Sequence, residues 1–98
     1  MAAKRLFFIL RTRGANWNRE RGMEGQQDWP THAGFMEELA REGFITLGGP
    51  LEGTPNALLL AHAESEDEVR ARLAQDIWAM NDVLRVERIA PWSVKWRG

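Results

Sequence analysis

The chain has 98 residues, 44% hydrophobic and 28% charged, with a formal net charge of −1. That balance describes one ordinary soluble globular domain, spanning 1–98, and excludes the basic footprint that nucleic acid or an anionic membrane surface selects. With no cysteine, disulfides and thiol chemistry are excluded too, which fits a reducing compartment.

Lys4 and Arg5 precede the run Leu6-Phe7-Phe8-Ile9-Leu10, and Arg11 and Arg13 follow it. The run is shorter than the roughly 7–15 residues of a signal-peptide core and far short of the roughly 20 that span a bilayer. It therefore predicts a buried strand, about Lys4 to Thr12, in a cytoplasmic protein. Leu6, Phe8 and Leu10 point one way, Phe7 and Ile9 the other, so the strand needs cover on both sides. Arg13 to Gln27 is a long polar stretch with Gly14, Gly22 and Gly25, of the kind that is often mobile or functional.

Asp28 stands where a helix cap belongs, and Pro30 is tolerated in a first turn. Trp29, Phe35, Met36, Leu39 and Ala40 keep a helical spacing, and His32 shares their face. Gly43 stops that helix. Phe44-Ile45-Thr46-Leu47 reads as a second strand ended by Gly48-Gly49-Pro50, Leu51 to Asn56 as a turn region, and Ala57 to Ala63 as a third strand apolar on both faces. Ser65-Glu66-Asp67-Glu68 is a capping box. The helix it opens is predicted to carry Val69, Leu73, Ile77 and Met80 on one stripe, with Asp76 inside that stripe near the helix C-terminus, where the dipole disfavours a carboxylate. Asn81-Asp82 breaks it. Leu84 to Ala90 is a fourth strand, Pro91 marks an edge or bend, and Trp92, Val94 and Trp96 alternate after it.

The order βαββαβ with right-handed crossovers predicts an α+β, ferredoxin-like domain: a four-stranded antiparallel sheet with two helices on one face. Apolar residues on the other face call for a second cover, and the simplest is another copy of the same sheet in a homodimer joined through sheet faces.

An ionisable side chain on a core-facing stripe costs free energy unless it finds a partner. His32 and Asp76 each need one. Together they would form a general-base dyad, an imidazole oriented by a carboxylate. The helix N-terminus beside His32 opposes its protonation, and a paired Asp76 favours it. The plainer alternative is a satisfied core histidine whose bond to Asp76 ties two elements together. Trp17, Trp29 and Trp78 suit the wall of an aromatic pocket, and core packing or surface cover serves them equally. Gly48-Gly49-Pro50 lets backbone approach a ligand, with Gly49 at its centre, or simply ends a strand. Arg11 and Arg13 can hold an anionic substrate, or stand solvated or ion-paired. His62 and Glu64, two apart, give with His32 the composition of a two-histidine, one-carboxylate metal set, but no spacing supports their convergence, and no metal is expected.

Leu6 to Arg11, Asn16-Trp17, Trp29-Pro30-Thr31-His32-Ala33-Gly34-Phe35-Met36, Gly43 to Leu51, Ala63-Glu64-Ser65 through Leu73, Asp76-Ile77-Trp78-Ala79 and Pro91-Trp92, taken in order, carry a resemblance over nearly the whole chain. The sequence resembles the YciI-like proteins, the YCII-related or DGPF-type group of the dimeric α+β barrel superfamily. The resemblance implies a dimer and an active site of a helix-one histidine, matching His32, and the aspartate of an Asp-Pro-aromatic motif, matching Asp76, with Ile77 standing where the family has proline. It also implies cofactor-free lyase or isomerase chemistry on small oxygenated rings, such as removal of HCl from chlorinated hydroxyquinols. The alternative is a module that binds a small metabolite without turning it over.

Overall fold

The structure is a computed structural model and describes residues 3–98. The first strand, β1, runs Arg5–Arg13, and a single 3-10 turn at Met23–Gly25 leads to helix α1, Trp29–Arg41. Strands β2, Ile45–Pro50, and β3, Asn56–Ala63, follow, then helices α2, Glu66–Leu73, and α3, Ile77–Met80, and strand β4, Leu84–Pro91. The sheet is four-stranded and antiparallel in the order β2-β3-β1-β4, with β1 paired to β3 on one side and β4 on the other. This order is consistent with a ferredoxin-like fold.

Alternation along β1 decides where the core lies. Phe7 and Ile9 are buried, as is Arg11 on the same face, while Leu6, Phe8 and Leu10 on the opposite face are half-buried. Phe7 and Ile9 join Leu59, Ala61 and Ala63 of β3 and Ile89 of β4 in one apolar cluster. Leu39, Phe35 and Met36 of α1 and Val69 and Leu73 of α2 pack into the same cluster. Each such Leu, Ile or Phe contributes roughly 1.5–3 kcal/mol when fully removed from water. The remaining face of β1 and β3, with Leu6, Phe8, Leu10, Leu58 and Leu60, stays half-buried.

Local chemistry explains most boundaries. Gly43 adopts φ 80°, a left-handed stop that a side chain would strain, and Phe44 N–H closes on Leu39 O at 3.0 Å. Ser65 Oγ accepts from Glu68 N–H at 3.1 Å, and Glu68 Oε1 accepts from Glu64 N–H at 2.8 Å, the reciprocal exchange of a capping box displaced by one residue.

Four expectations need correction. The continuous helix through Ile77 and Met80 does not form: α2 ends at Leu73 and a separate short helix, α3, begins at Ile77. Asp76 is the N-cap of α3, not a residue near a helix C-terminus, and its side chain accepts from Trp78 N–H. An aspartate that can bond the backbone two residues on competes with helix continuation, so the chain breaks there. Second, β2 does not stop at Leu47; it runs through Gly48 and Gly49 to Pro50, which an edge strand tolerates. Third, Asp28 occupies the N-cap of α1 but in the left-handed region, φ 57°, with no side-chain cap bond. Fourth, residues 92–98 form no strand, although Trp92 N–H donates to Leu6 O at 2.9 Å.

No described helix is long and apolar enough to cross a membrane.

Candidate active site around His32 and Asp76

β1 delivers Arg11 beneath α1, opposite Ala57 of β3 and Val86 of β4. The register with β4 shifts between Leu10 and Arg11, leaving Glu87 as the extra residue of a bulge. Bulges re-aim side chains, and this one sits beside the polar cluster. His32 comes from the first turns of α1 and Asp76 from the break between α2 and α3. All three are buried: Arg11 keeps 2%, His32 6% and Asp76 0% of its surface.

Asp76 gathers their polar groups. Its Oδ2 accepts from Arg11 Nη2 at 2.7 Å, and His32 Nδ1 lies 2.8 Å from Oδ2 and 2.9 Å from Oδ1. Oδ1 also accepts from Trp78 N–H at 3.0 Å. Burial pushes the Asp76 carboxyl up, but the bonds from His32, Arg11 and Trp78 N–H, with the Arg11 charge, outweigh it and hold Asp76 below its ordinary value. An ionised carboxylate only accepts, so the shared hydrogen belongs to His32 Nδ1. In the neutral ring the lone pair then resides on Nε2. Nε2 has no hydrogen-bond partner among the described residues, whereas the buried side-chain nitrogen left wholly without one is Arg11 Nε.

Tryptophans frame the cluster. His32 stacks on Trp78 with ring centroids 3.7 Å apart and planes 8° from parallel. Trp78 is fully buried, and its indole N–H donates to Gln27 O at 2.6 Å. Trp29 and Trp17 meet Trp78 at 5.8 and 5.9 Å, the latter edge-on, and Arg13 lies over Trp17 at 4.6 Å. Ile77 takes the first helical position of α3, where the N–H lacks a helical partner in any chain, so the turn that aims Asp76 forms with isoleucine there.

A cleft of about 470 Å³ opens between α1 and the edge strand β2. Arg11, Trp29, His32 and Gly49 line it, and most of the remaining wall is apolar, including Met36, Ile45, Leu47 and Leu59. Asp76 lies behind His32 and does not line the cleft. Trp17 and Trp78 line a neighbouring hollow of about 240 Å³ that shares Met23, Pro50, Ala57 and Leu84 with the first. Of the paired glycines, Gly48 faces the packed side: a Cβ there would meet Leu59 Cδ2 at 2.5 Å, while one at Gly49 would meet nothing within 4 Å. Arg11, considered as a possible anion holder, has its guanidinium turned onto Asp76 and Met36, whose Sδ accepts from Nη1 at 3.7 Å. His62 is exposed, and among the described residues no group of three or more His, Cys, Asp or Glu gathers as a metal site would require.

One contributor, and the interior place of another, escaped the sequence reading. Gln26, 4% exposed, ties the Arg13–Gln27 stretch: its side chain accepts from Asn18 N–H and donates to the carbonyls of Asn18, Arg21 and Gly22. No pattern signals it. The interior place of Arg11 did have a signal, since it continues the Phe7, Ile9 alternation.

No protein-family model, curated protein or solved structure matches the chain.

Proposed function

We propose that the protein is a small, cofactor-free lyase or isomerase in which His32 Nε2 removes a proton from a small oxygenated ring bound in the cleft. The observation that carries this reading is the contact of His32 Nδ1 with an ionised Asp76, at 2.8 Å, on the wall of an open cleft. The carboxylate orients the imidazole and stabilises the imidazolium formed when Nε2 takes the proton. The electron pair of the broken C–H bond stays on the substrate, where it forms an enolate or expels a leaving group such as chloride. Such a positioned base is worth roughly 10²–10⁴ in rate, enough for an already acidic C–H. The cleft volume lies within the range of small-molecule sites, and its largely apolar wall beside Trp29 suits a flat ring. The proton transfer calls on no cofactor, because the chain's own groups complete it. The likeness in residue order to YciI-like proteins supports the same chemistry.

We also propose that a second copy covers the half-buried face carrying Leu6, Phe8, Leu10, Leu58 and Leu60, in a homodimer of the dimeric α+β barrel kind, with both longer helices on the opposite face. A stable interface removes roughly 800 Å² per partner. Phe8→Asp puts a charge on this face, and the protein should then sediment as a monomer where the wild type sediments as a dimer.

The activity test pairs wild type with His32→Gln. A chlorinated hydroxyquinol is the first probe, read by chloride release, and a panel of cyclic ketones and phenols follows, read by solvent deuterium uptake. Wild type should turn over at least one probe, and folded His32→Gln should be slower by roughly 10²–10⁴. Equal rates in both proteins reject His32 as the base. A probe that binds the cleft of wild type and is recovered unchanged assigns the protein to metabolite binding instead.

A further inference from the structure

We propose that Arg11 is a positioning residue that acts through Asp76: it occupies one side of the carboxylate so that His32 keeps its Nδ1–H tautomer yet remains a neutral base, with its Nε2 lone pair facing the cleft. The inference rests on the reading that His32 works through Nε2, and it says what tunes that nitrogen.

The geometry is a chain of three groups. Arg11 Nη2 and His32 Nδ1 share one oxygen, Asp76 Oδ2, at 2.7 and 2.8 Å. An isolated buried aspartate would face His32 with a full negative charge and favour the imidazolium, which has no lone pair to offer. With Arg11 bonded to the same oxygen, the carboxylate is already balanced, while its hydrogen-bond geometry toward Nδ1 is kept. The other charged groups near His32 do not replace this effect. Arg11, His32 and Glu37 are the ionisable residues among those lining the cleft, and Glu37 is exposed. The cleft residues of β2, β3 and β4 carry no charge. Asp28, ahead of α1, meets His32 through its carbonyl, which accepts His32 N–H at 2.9 Å.

Packing alone does not account for an arginine here. Position 11 follows Phe7 and Ile9 on the buried face of β1, where an aliphatic side chain would serve. A buried ion pair is weak evidence of stabilisation, because desolvation consumes what attraction supplies. This one also leaves Arg11 Nε buried with no partner, a cost that sites of function tolerate and ordinary cores avoid. The weak sulfur acceptor of Met36 against Nη1 fits a guanidinium held for its one strong bond.

The test is nuclear magnetic resonance of the ¹⁵N-labelled chain across a pH series, with no substrate needed. The protein has two histidines, and exposed His62 is the internal reference. In Arg11→Met, the midpoint at which His32 gains its second proton should rise by about one pH unit relative to wild type, because the balancing charge is gone. His62 should stay in place, and Arg11→Lys should shift His32 less than Arg11→Met. An unchanged His32 midpoint in Arg11→Met overturns the proposal. Should that variant not fold, wild type itself decides: Arg11 side-chain nitrogen signals should move through the His32 titration, and signals that stay flat overturn it. The result separates cleanly from the activity reading. A shifted midpoint without turnover of any probe sustains the role of Arg11 and rejects catalysis. An unshifted midpoint with an inactive His32→Gln does the reverse.

Discussion

β1 passes through two interiors of opposite character. At Phe7 and Ile9 it supplies an aliphatic and aromatic core with no ionisable partner. Two residues further along the same face it supplies Arg11 to a cluster of three ionisable groups, lined by Trp78, Trp29 and Trp17. The first interior is held by area removed from water and has no opinion about protonation. The second holds charges that must match one another, so its stability is conditional on every member being present. The switch within one strand is what separates the site from the scaffold.

Removing one charge should break the second interior most severely. Asp76→Asn leaves the Arg11 guanidinium buried beside a neutral amide, and unfolding in urea should show a loss of about 3–5 kcal/mol. Adding Arg11→Met to Asp76→Asn should recover part of that loss, since the unpaired charge goes with it. Losses that simply add would mean the two groups are uncoupled. In the aliphatic interior, Leu73→Ala, at a site 1% exposed, should cost about 2–5 kcal/mol through lost transfer energy and a residual cavity, with no dependence on pH.

Acid separates the two interiors further. Asp76 is held below its ordinary value in the folded chain, so the unfolded chain binds its proton first as pH falls. The stabilisation from Asp76 is therefore complete above the unfolded carboxylate value, about 3.9, and fades as pH falls through the lower folded value. The gap in stability between wild type and Asp76→Asn should narrow below about pH 4. The gap between wild type and Leu73→Ala should not follow the same course. A constant gap for Asp76→Asn would place its effect in packing rather than charge.

How far these regions could be read from sequence follows the same division. Runs apolar on both faces place β1 and β3, and helical spacing places α1 and the stripe of Val69 and Leu73, because burial of hydrocarbon leaves its pattern in the element. The same spacing misled at Ile77 and Met80. A continuing apolar period cannot reveal that the carboxylate of Asp76 prefers the N–H of Trp78 to a place in the helix. His32 and Asp76 stood out by violating a pattern, and the coordinates bring them together. The third member, Arg11, was named as an anion holder or an ion-paired arginine, and its interior place was passed over because an arginine near a strand end looks like surface although it continues the buried alternation of Phe7 and Ile9. The cleft wall of Gly48 to Pro50 and the bracing by Gln26 depend on how elements meet in space, which no local period encodes.

The smallest predicted effect compares two helix starts. At α2, Ser65 Oγ accepts a backbone N–H, and the Glu68 side chain answers toward Glu64. At α1, Asp28 holds the cap position but gives its carboxylate to Asn81 Nδ2 at 3.2 Å, on the surface, and leaves the helix N–H groups unaided. Pro30 in the first turn has no N–H to satisfy, which lessens what a cap there would contribute. Ser65→Ala should therefore cost about 1 kcal/mol, read as a lower urea midpoint with unchanged slope. Asp28→Asn keeps a side chain that tolerates the left-handed backbone and should stay within about 0.5 kcal/mol of wild type. A cost at Asp28 equal to that at Ser65 would mean that its carboxylate serves the entry to α1, and with it the placement of His32 one turn further on.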